Sequence, residues 1–342
     1  MKFEPKLNDN LIENKFLGVS THTGGEITRI VMDGFPEPQG NTMIEKKNYL
    51  IENYDHYRKS LMLEPRGHKN MFGALFTEPV NKEAAFGVIF MDTGGYLNMC
   101  GHGTIGSVTA AIETGIVPCV EPVTEVTFDA PAGIIRTKAQ VENGRVKSVT
   151  LKNVPAFLYK RDLVAKVLDK EIVYDISFGG SFFGMVDIDK LGIEIIPENI
   201  PEITKIGMAM LEYVNKNVEI KHPELDITSV DLIEFYSHHA SDGADLRNVV
   251  IFGDGMADRS PCGTGCSAKV AQLVAKGELQ IGEKITSQSF IGSKFIACPI
   301  EKTKVGEFDA VIPQVTGSAS VMSMGTYIIC KDDNIKYGFS VE

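Results

Sequence analysis

Short runs of alternating or continuous hydrophobic residues, broken by turn clusters, set out a series of strands with helices between them. Ile27 to Met32 reads as a strand, and Glu45 to Leu61 as a helix that stops before Pro65-Arg66-Gly67. Two strands follow, Phe72 to Thr77 and Ala84 to Phe90, bounded by Pro79 and Asn81 and then by Asp92-Thr93-Gly94-Gly95. From Thr104 the residues Ile105, Val108, Ala111 and Ile112 recur at spacings of three and four as far as Gly115, a C-cap with Pro118 beyond it. Val123 to Asp129 reads as a strand, and Ile134 to Leu151 as a hairpin about Glu142-Asn143-Gly144.

The order then repeats loosely: a strand near Ile172 to Phe178, a helix near Ile203 to Val214, and strands over Val230 to Phe235 and Arg247 to Phe252. A second glycine-led helix, Ala268 to Lys276 ending at Gly277, follows Ser260-Pro261-Cys262-Gly263-Thr264-Gly265 much as the first follows Met99-Cys100-Gly101-His102-Gly103. Strands beyond Phe308 return to the first unit. No linker or charge block separates the halves, so the quasi-repeat alone sets the expected domains: 1–127 plus 314–342, and 128–313.

Composition narrows the function classes. A length of 342 residues suits two hydrophobic cores. With 34 Lys and Arg against 45 Asp and Glu the formal charge is −11, which leaves no basic field for nucleic acid. No apolar run approaches the roughly 18 residues of a membrane span; the best, Ala84 to Met91, stops at Asp92. Met1 to Gly18 has no apolar core of the kind a signal peptide needs, so a cytoplasmic protein is expected. Six scattered cysteines read as thiols rather than a disulfide framework.

The chemistry lies in Cys100-Gly101-His102-Gly103 and Cys262-Gly263-Thr264-Gly265, each at a helix start. First-turn N–H groups lack partners inside the helix and carry roughly half a positive charge, so they stabilise an anion there, and glycine lets it come close. A thiol at that place is expected to titrate below the ordinary value of about 8.5. If two such sites face one another, a small carboxylate meets two sets of amide donors, with sulfur on either side of its α-carbon. One thiolate could remove the α-proton while the opposing thiol protonates the other face, with no cofactor and with one proton shared by the pair. Free cysteine also packs commonly as a small buried hydrophobe, so spacing leaves both roles open for Cys100 and Cys262. Cys119, Cys298 and Cys330 read as packing.

Nearly the whole chain is similar to the proline racemase family of the diaminopimelate epimerase-like superfamily. The blocks Asn98 to Gly106 and Asp258 to Gly265 resemble its two catalytic cysteine signatures, and His22 to Glu26, Glu64 to His68 and Asp175 to Ser181 resemble further family blocks. The resemblance implies an α/β (α+β) fold of two similar domains, each a β-barrel-like sheet around a central helix, with the active site between them and usually a homodimer. It implies Cys100 and Cys262 as the acid/base pair, the amides of Gly101, His102, Gly263 and Thr264 as carboxylate ligands, and His102 and Asp258 at the ring nitrogen. The plain alternative for His102 is a capping or solvated residue and for Asp258 a turn former before Ser260-Pro261, and the motif context disfavours both. Relatives that dehydrate 3-hydroxyproline typically replace the first cysteine, which this chain keeps.

Racemases of proline and epimerases of 4-hydroxyproline share both cysteines. Phe72 and Phe252 match phenylalanines carried by the proline enzymes, and an apolar wall would strand a ring hydroxyl at a cost of roughly 1–3 kcal/mol. By sequence alone strand core is the commoner role for both. Cys266, where relatives often carry Thr or another small residue, reads as packing.

Two other classes compete. Gly101-Xaa-Gly103-Xaa-Xaa-Gly106 matches a dinucleotide fingerprint, but that motif needs a strand feeding directly into it, and Gly94-Gly95-Tyr96 intervenes. A zinc module of Cys100, His102, Cys262 and Cys266 lacks strong ligand spacing.

Overall fold

Both glycine-led segments form buried helices, because small residues on most sides of each helix let surrounding strands approach. The computed structural model describes residues 7–341; residues 1–6 of the N-terminal stretch lie outside them. The chain forms two compact units. One runs up to Thr23, over Ile27–Lys147 and from Ala319 on; the other holds Gly24–Glu26 and Ser148–Ser318.

The first unit is built from β1 (Ile12–Thr23), β2 (Glu26–Asp33), α1 (Met43–Met62), β3 (Phe72–Thr77), β4 (Gly87–Asp92), β5 (Tyr96–Leu97), α2 (Gly101–Glu113), β6 (Val123–Ala130) and β7 (Gly133–Glu142). From it β8 (Arg145–Lys152) leads into the second unit. There follow β9 (Ala156–Val167), β10 (Lys170–Phe178), β11 (Phe182–Asp187), α3 (Ile200–Asn217), β12 (Leu232–Ser237), β13 (Leu246–Phe252), β14 (Met256–Ala257), α4 (Gly263–Lys276), β15 (Ile285–Ser289), β16 (Lys294–Val305) and β17 (Phe308–Gly317). Finally β18 (Ala319–Cys330) returns to the first unit. The fold is α+β.

In the second unit the pairings run β9, β10, β11, β12, β13, β15, β16, β17 and back to β9, so the sheet closes on itself and leaves no open edge in that ring. Helix α4 packs on β9, β10, β11, β16 and β17. Gly179 makes the close approach possible, since a Cβ there would lie 2.3 Å from the Thr264 carbonyl oxygen and 2.4 Å from the Ala268 nitrogen. In the first unit α2 packs on β1, β3, β7 and β18, and Gly101 and every residue from Gly103 to Ile112 are buried.

Most predicted elements are present with shifted ends. α2 begins at Gly101 rather than Thr104, and α4 at Gly263 rather than Ala268, because the cysteines themselves are the caps. β4 starts at Gly87, not Ala84, since its antiparallel partner β3 ends opposite it at Thr77. Val123 to Ala130 pairs along its whole length with Gly133 to Glu142, which keeps that hairpin in one unit. The breaks therefore fall after Lys147 and after Ser318, where the sequence suggests 127 and 313. Of the strands beyond Phe308 only β18 returns to the first unit, antiparallel to β1; β17 stays in the second. Sequence reading misses β1 itself, whose partner lies some three hundred residues away. Among the described residues no helix is long and apolar enough to cross a membrane.

Candidate active site

One candidate group of residues sits at the start of α2 in the first unit. Cys100 is the extended N-cap residue, and its side chain makes no capping bond. Its Sγ lies 3.2 Å from Nδ1 of His102, one residue into the helix. The imidazole stands edge-on to Phe72, with ring centroids 4.4 Å apart, and the His102 carbonyl accepts a hydrogen bond from Thr23 Oγ1 at 2.9 Å. Burial pushes the imidazole down to about 4, so it is neutral at pH 7. The sulfur then either donates to Nδ1 or accepts from it, according to the tautomer. Glycine is required at 103, where a Cβ would come within 2.8 Å of both the Phe72 and Phe90 rings.

A second candidate group sits at the start of α4 in the second unit and is more tightly built. Cys262 has φ +62°, in the left-handed region that side chains rarely adopt. A network holds it there: its N–H donates to Ser260 Oγ at 3.1 Å, its Sγ accepts from the Gly265 N–H at 3.4 Å, and Thr264 Oγ1 lies 3.5 Å from the sulfur. Ser260 donates both its N–H and its hydroxyl to Asp258 Oδ1, each at 2.8 Å. Asp258 is thus fixed beneath the cysteine turn, and burial raises its carboxyl to about 6 against the pull of those donors. Phe252 is half-buried at the end of β13, opposite Met256.

So Cys100, Gly101, His102 and Phe72 come together in one unit, and Cys262, Gly263, Thr264, Asp258 and Phe252 belong to the other. One expectation is overturned. Burial, reinforced by the Asp258 carboxyl, drives the Cys262 thiol well above its ordinary value rather than below it. Desolvation of a thiolate outweighs the attraction of the helix start.

Sequence reading missed three residues. Glu26 accepts the Arg259 N–H at 2.9 Å, and burial with Asp258 nearby raises it to about 7. Glu234 and Asn248 lie under the α4 turn, their side chains joined at 3.0 Å, with Asn248 also donating to the Pro261 carbonyl at 2.8 Å. The signal for Glu234 was a lone carboxylate inside the apolar run Leu232-Ile233-Glu234-Phe235-Tyr236. Cys266 packs as expected, buried and directed at the Pro261 carbonyl oxygen. Cys298 is buried too, whereas Cys119, expected to pack, is exposed.

β4 ends at Asp92, and only the two-residue strand β5 followed by Asn98 to Cys100 leads to Gly101, so no long strand runs directly into the glycine run. Among the described residues no three His, Cys, Asp or Glu side chains are grouped to hold a metal ion.

Comparison with known proteins gives a consistent result. A family profile described as proline racemase matches residues 18–340. The proline racemase of Clostridioides difficile is 51% identical over 323 residues, covering 94% of this chain and 96% of its own. Proline racemase A of Trypanosoma cruzi is 42% identical over 351 residues, covering 96% of this chain and 83% of its own. The solved structure of a hydroxyproline epimerase from Agrobacterium vitis, with bound trans-4-hydroxy-L-proline, superposes with a TM-score of 0.87 at 30% identity, covering 97% of this chain and 96% of that one.

Proposed function

The chain belongs to the proline racemase family, and on that premise we propose that it is a cofactor-independent isomerase interconverting L- and D-proline, with Cys100 and Cys262 as its acid/base pair. The observation that carries this reading is that each cysteine caps a helix whose first-turn N–H groups have no acceptor inside the helix. A carboxylate held by the amides of Gly101, His102, Gly263 and Thr264 meets the positive end of each helix, and so does the charge that spreads onto it when the α-carbon loses its proton.

The reaction requires both sulfurs to reach one α-carbon from opposite faces. A thiolate takes the α-proton and the electron pair passes into the carboxylate as an ene-diolate; the opposing thiol then gives its proton to the carbon. The first sulfur ends as thiol and the second as thiolate, so each turnover leaves the protein ready for the product enantiomer. Burial favours the thiol form of Cys262, which suits it to deliver the proton in the direction in which Cys100 is the base. His102 and Asp258 hold the ring nitrogen, and Phe72 and Phe252 form an apolar wall for the ring.

A second reading, epimerisation of 4-hydroxyproline at its α-carbon, is favoured by the structural neighbour that holds that ligand. The apolar wall argues against it, because it leaves a ring hydroxyl without a partner. Proton NMR of L-proline and of trans-4-hydroxy-L-proline in deuterated water, with chiral analysis of the products, separates them. Exchange at the α-carbon with D-proline formed supports the racemase; exchange confined to hydroxyproline supports the epimerase; no exchange in either refutes both. Cys100→Ser and Cys262→Ser are each expected to abolish racemisation, since a serine hydroxyl is a far poorer base. A homodimer in the cytoplasm completes the reading, its assembly checked by light scattering.

A further inference from the structure

Several buried ionisable groups of the second unit have no task in the reaction above, and one of them, Glu234, lies beside the Cys262 turn. Glu234 lies in β12 between Ile233 and Phe235 and is only 1% exposed. A carboxyl group in such a place is costly unless it is well partnered. Its Oε1 accepts from Asn248 Nδ2, and the same nitrogen donates to the Pro261 carbonyl, so carboxyl, amide and the residue before Cys262 form one chain. Its Oε2 has no hydrogen-bond partner among the described residues. That oxygen is aimed at the first turn of α4: a Cβ at Gly265 would meet it at 2.6 Å and would meet Cys262 Cβ at 3.3 Å. Carboxyl and cysteine therefore flank the same glycine, and only glycine leaves room for both. Lys269 does not neutralise Glu234 by contact; its ammonium donates to Gln272 Oε1 at 2.8 Å and lies over the Tyr236 ring.

We propose that Glu234 is a positioning residue for Cys262: seated under the first turn of α4, it holds the Pro261-Cys262 turn through Asn248 and, as a negative neighbour, adds to what opposes ionisation of the thiol. This rests on the reading of Cys262 as an acid/base group. In the second unit the charged and titratable groups around Cys262 are Asp258, Glu234, Arg259 and Lys269, with Glu26 behind Asp258 and Cys266 one turn along α4. Removing the Glu234 charge leaves Asp258 and the helix start in place, so the thiolate becomes easier to form and its titration moves to lower pH.

The test is peptide-resolved alkylation of Cys262 by iodoacetamide across a pH series, in wild type and Glu234→Gln, with thermal unfolding followed alongside. A downward shift of the Cys262 midpoint is expected in the variant. Should the amide variant unfold, Glu234→Met fills similar volume without charge and gives the same readout. A folded variant with an unmoved midpoint overturns the proposal, even if its melting temperature falls, because a merely structural role would lower stability and leave the titration alone. Failure of the two-thiol reading shows elsewhere, as racemisation that survives Cys262→Ser.

Discussion

Ser260→Ala probes the strained turn that presents Cys262. The Ser260 side chain is fully buried, and its hydroxyl serves two neighbours at once: it donates to Asp258 Oδ1 at 2.8 Å and accepts the Cys262 N–H at 3.1 Å. Alanine removes both bonds but leaves the backbone bond from the Ser260 N–H to Asp258 intact. The Cys262 N–H then remains buried without an acceptor, at a cost of about 1–3 kcal/mol, while the desolvation of a buried hydroxyl is relieved. The turn has little slack, since Cys262 already sits at φ +62°, a conformation costing of order 1–3 kcal/mol. A net loss of about 2 kcal/mol is expected, roughly 30-fold in the folding equilibrium. Urea unfolding of variant and wild type measures it, provided the slopes agree. Racemisation should fall mainly in kcat, because the sulfur loses its fixed position while the helix amides that bind carboxylate are unaltered. A variant within about 0.5 kcal/mol of wild type and undiminished in kcat would refute the reasoning, showing that the turn holds itself without the hydroxyl.

Gly179→Ala should cost more than about 3 kcal/mol, because its Cβ would press on backbone atoms of α4, at 2.3 Å and 2.4 Å, that cannot swing aside; a melting temperature near that of wild type would disprove the close approach. Stability should also depend on pH in an unusual sense. Glu26, Asp258 and Glu234 hold their protons to about 7, 6 and 7, above the unfolded range near 4, so their contribution is present in full below about pH 4 and is lost as pH rises through 6 to 7. His102, lowered to about 4, acts in the opposite sense between about 4 and 6.5, and Lys269, lowered to about 7, does so only above 7. Glu26→Gln removes one of the three carboxyls, so the urea midpoint of the variant should fall less than that of wild type between pH 5 and 7; parallel curves would show that Glu26 titrates normally in the folded protein.

Much of the site was legible in the chain because it is written locally. A cysteine followed by Gly-Xaa-Gly at the start of an apolar helix fixes a cap, a set of unpaired N–H groups and a close approach within a few residues, and both helices are found there. The hairpin about Asn143-Gly144, with both residues at positive φ, is likewise a local matter. What lay beyond reach depends on partners distant in sequence. β1 has no strict alternation and becomes a strand through β18; the barrel of the second unit closes only when β17 returns to β9.

Proton affinities divide the same way. Motif position suggested a lowered thiol at Cys262, because a helix start favours a thiolate. The tertiary structure buried that thiol over Asp258 and Glu234 and raised it instead. The sequence by itself determined where the two cysteine caps and their unpaired N–H groups lie, since caps, glycines and periodicity act over one or two turns of chain. Only the tertiary structure decided their protonation, since desolvation and charge proximity are set by residues such as Glu26 and Glu234 that folding, not spacing, brings beside the motif.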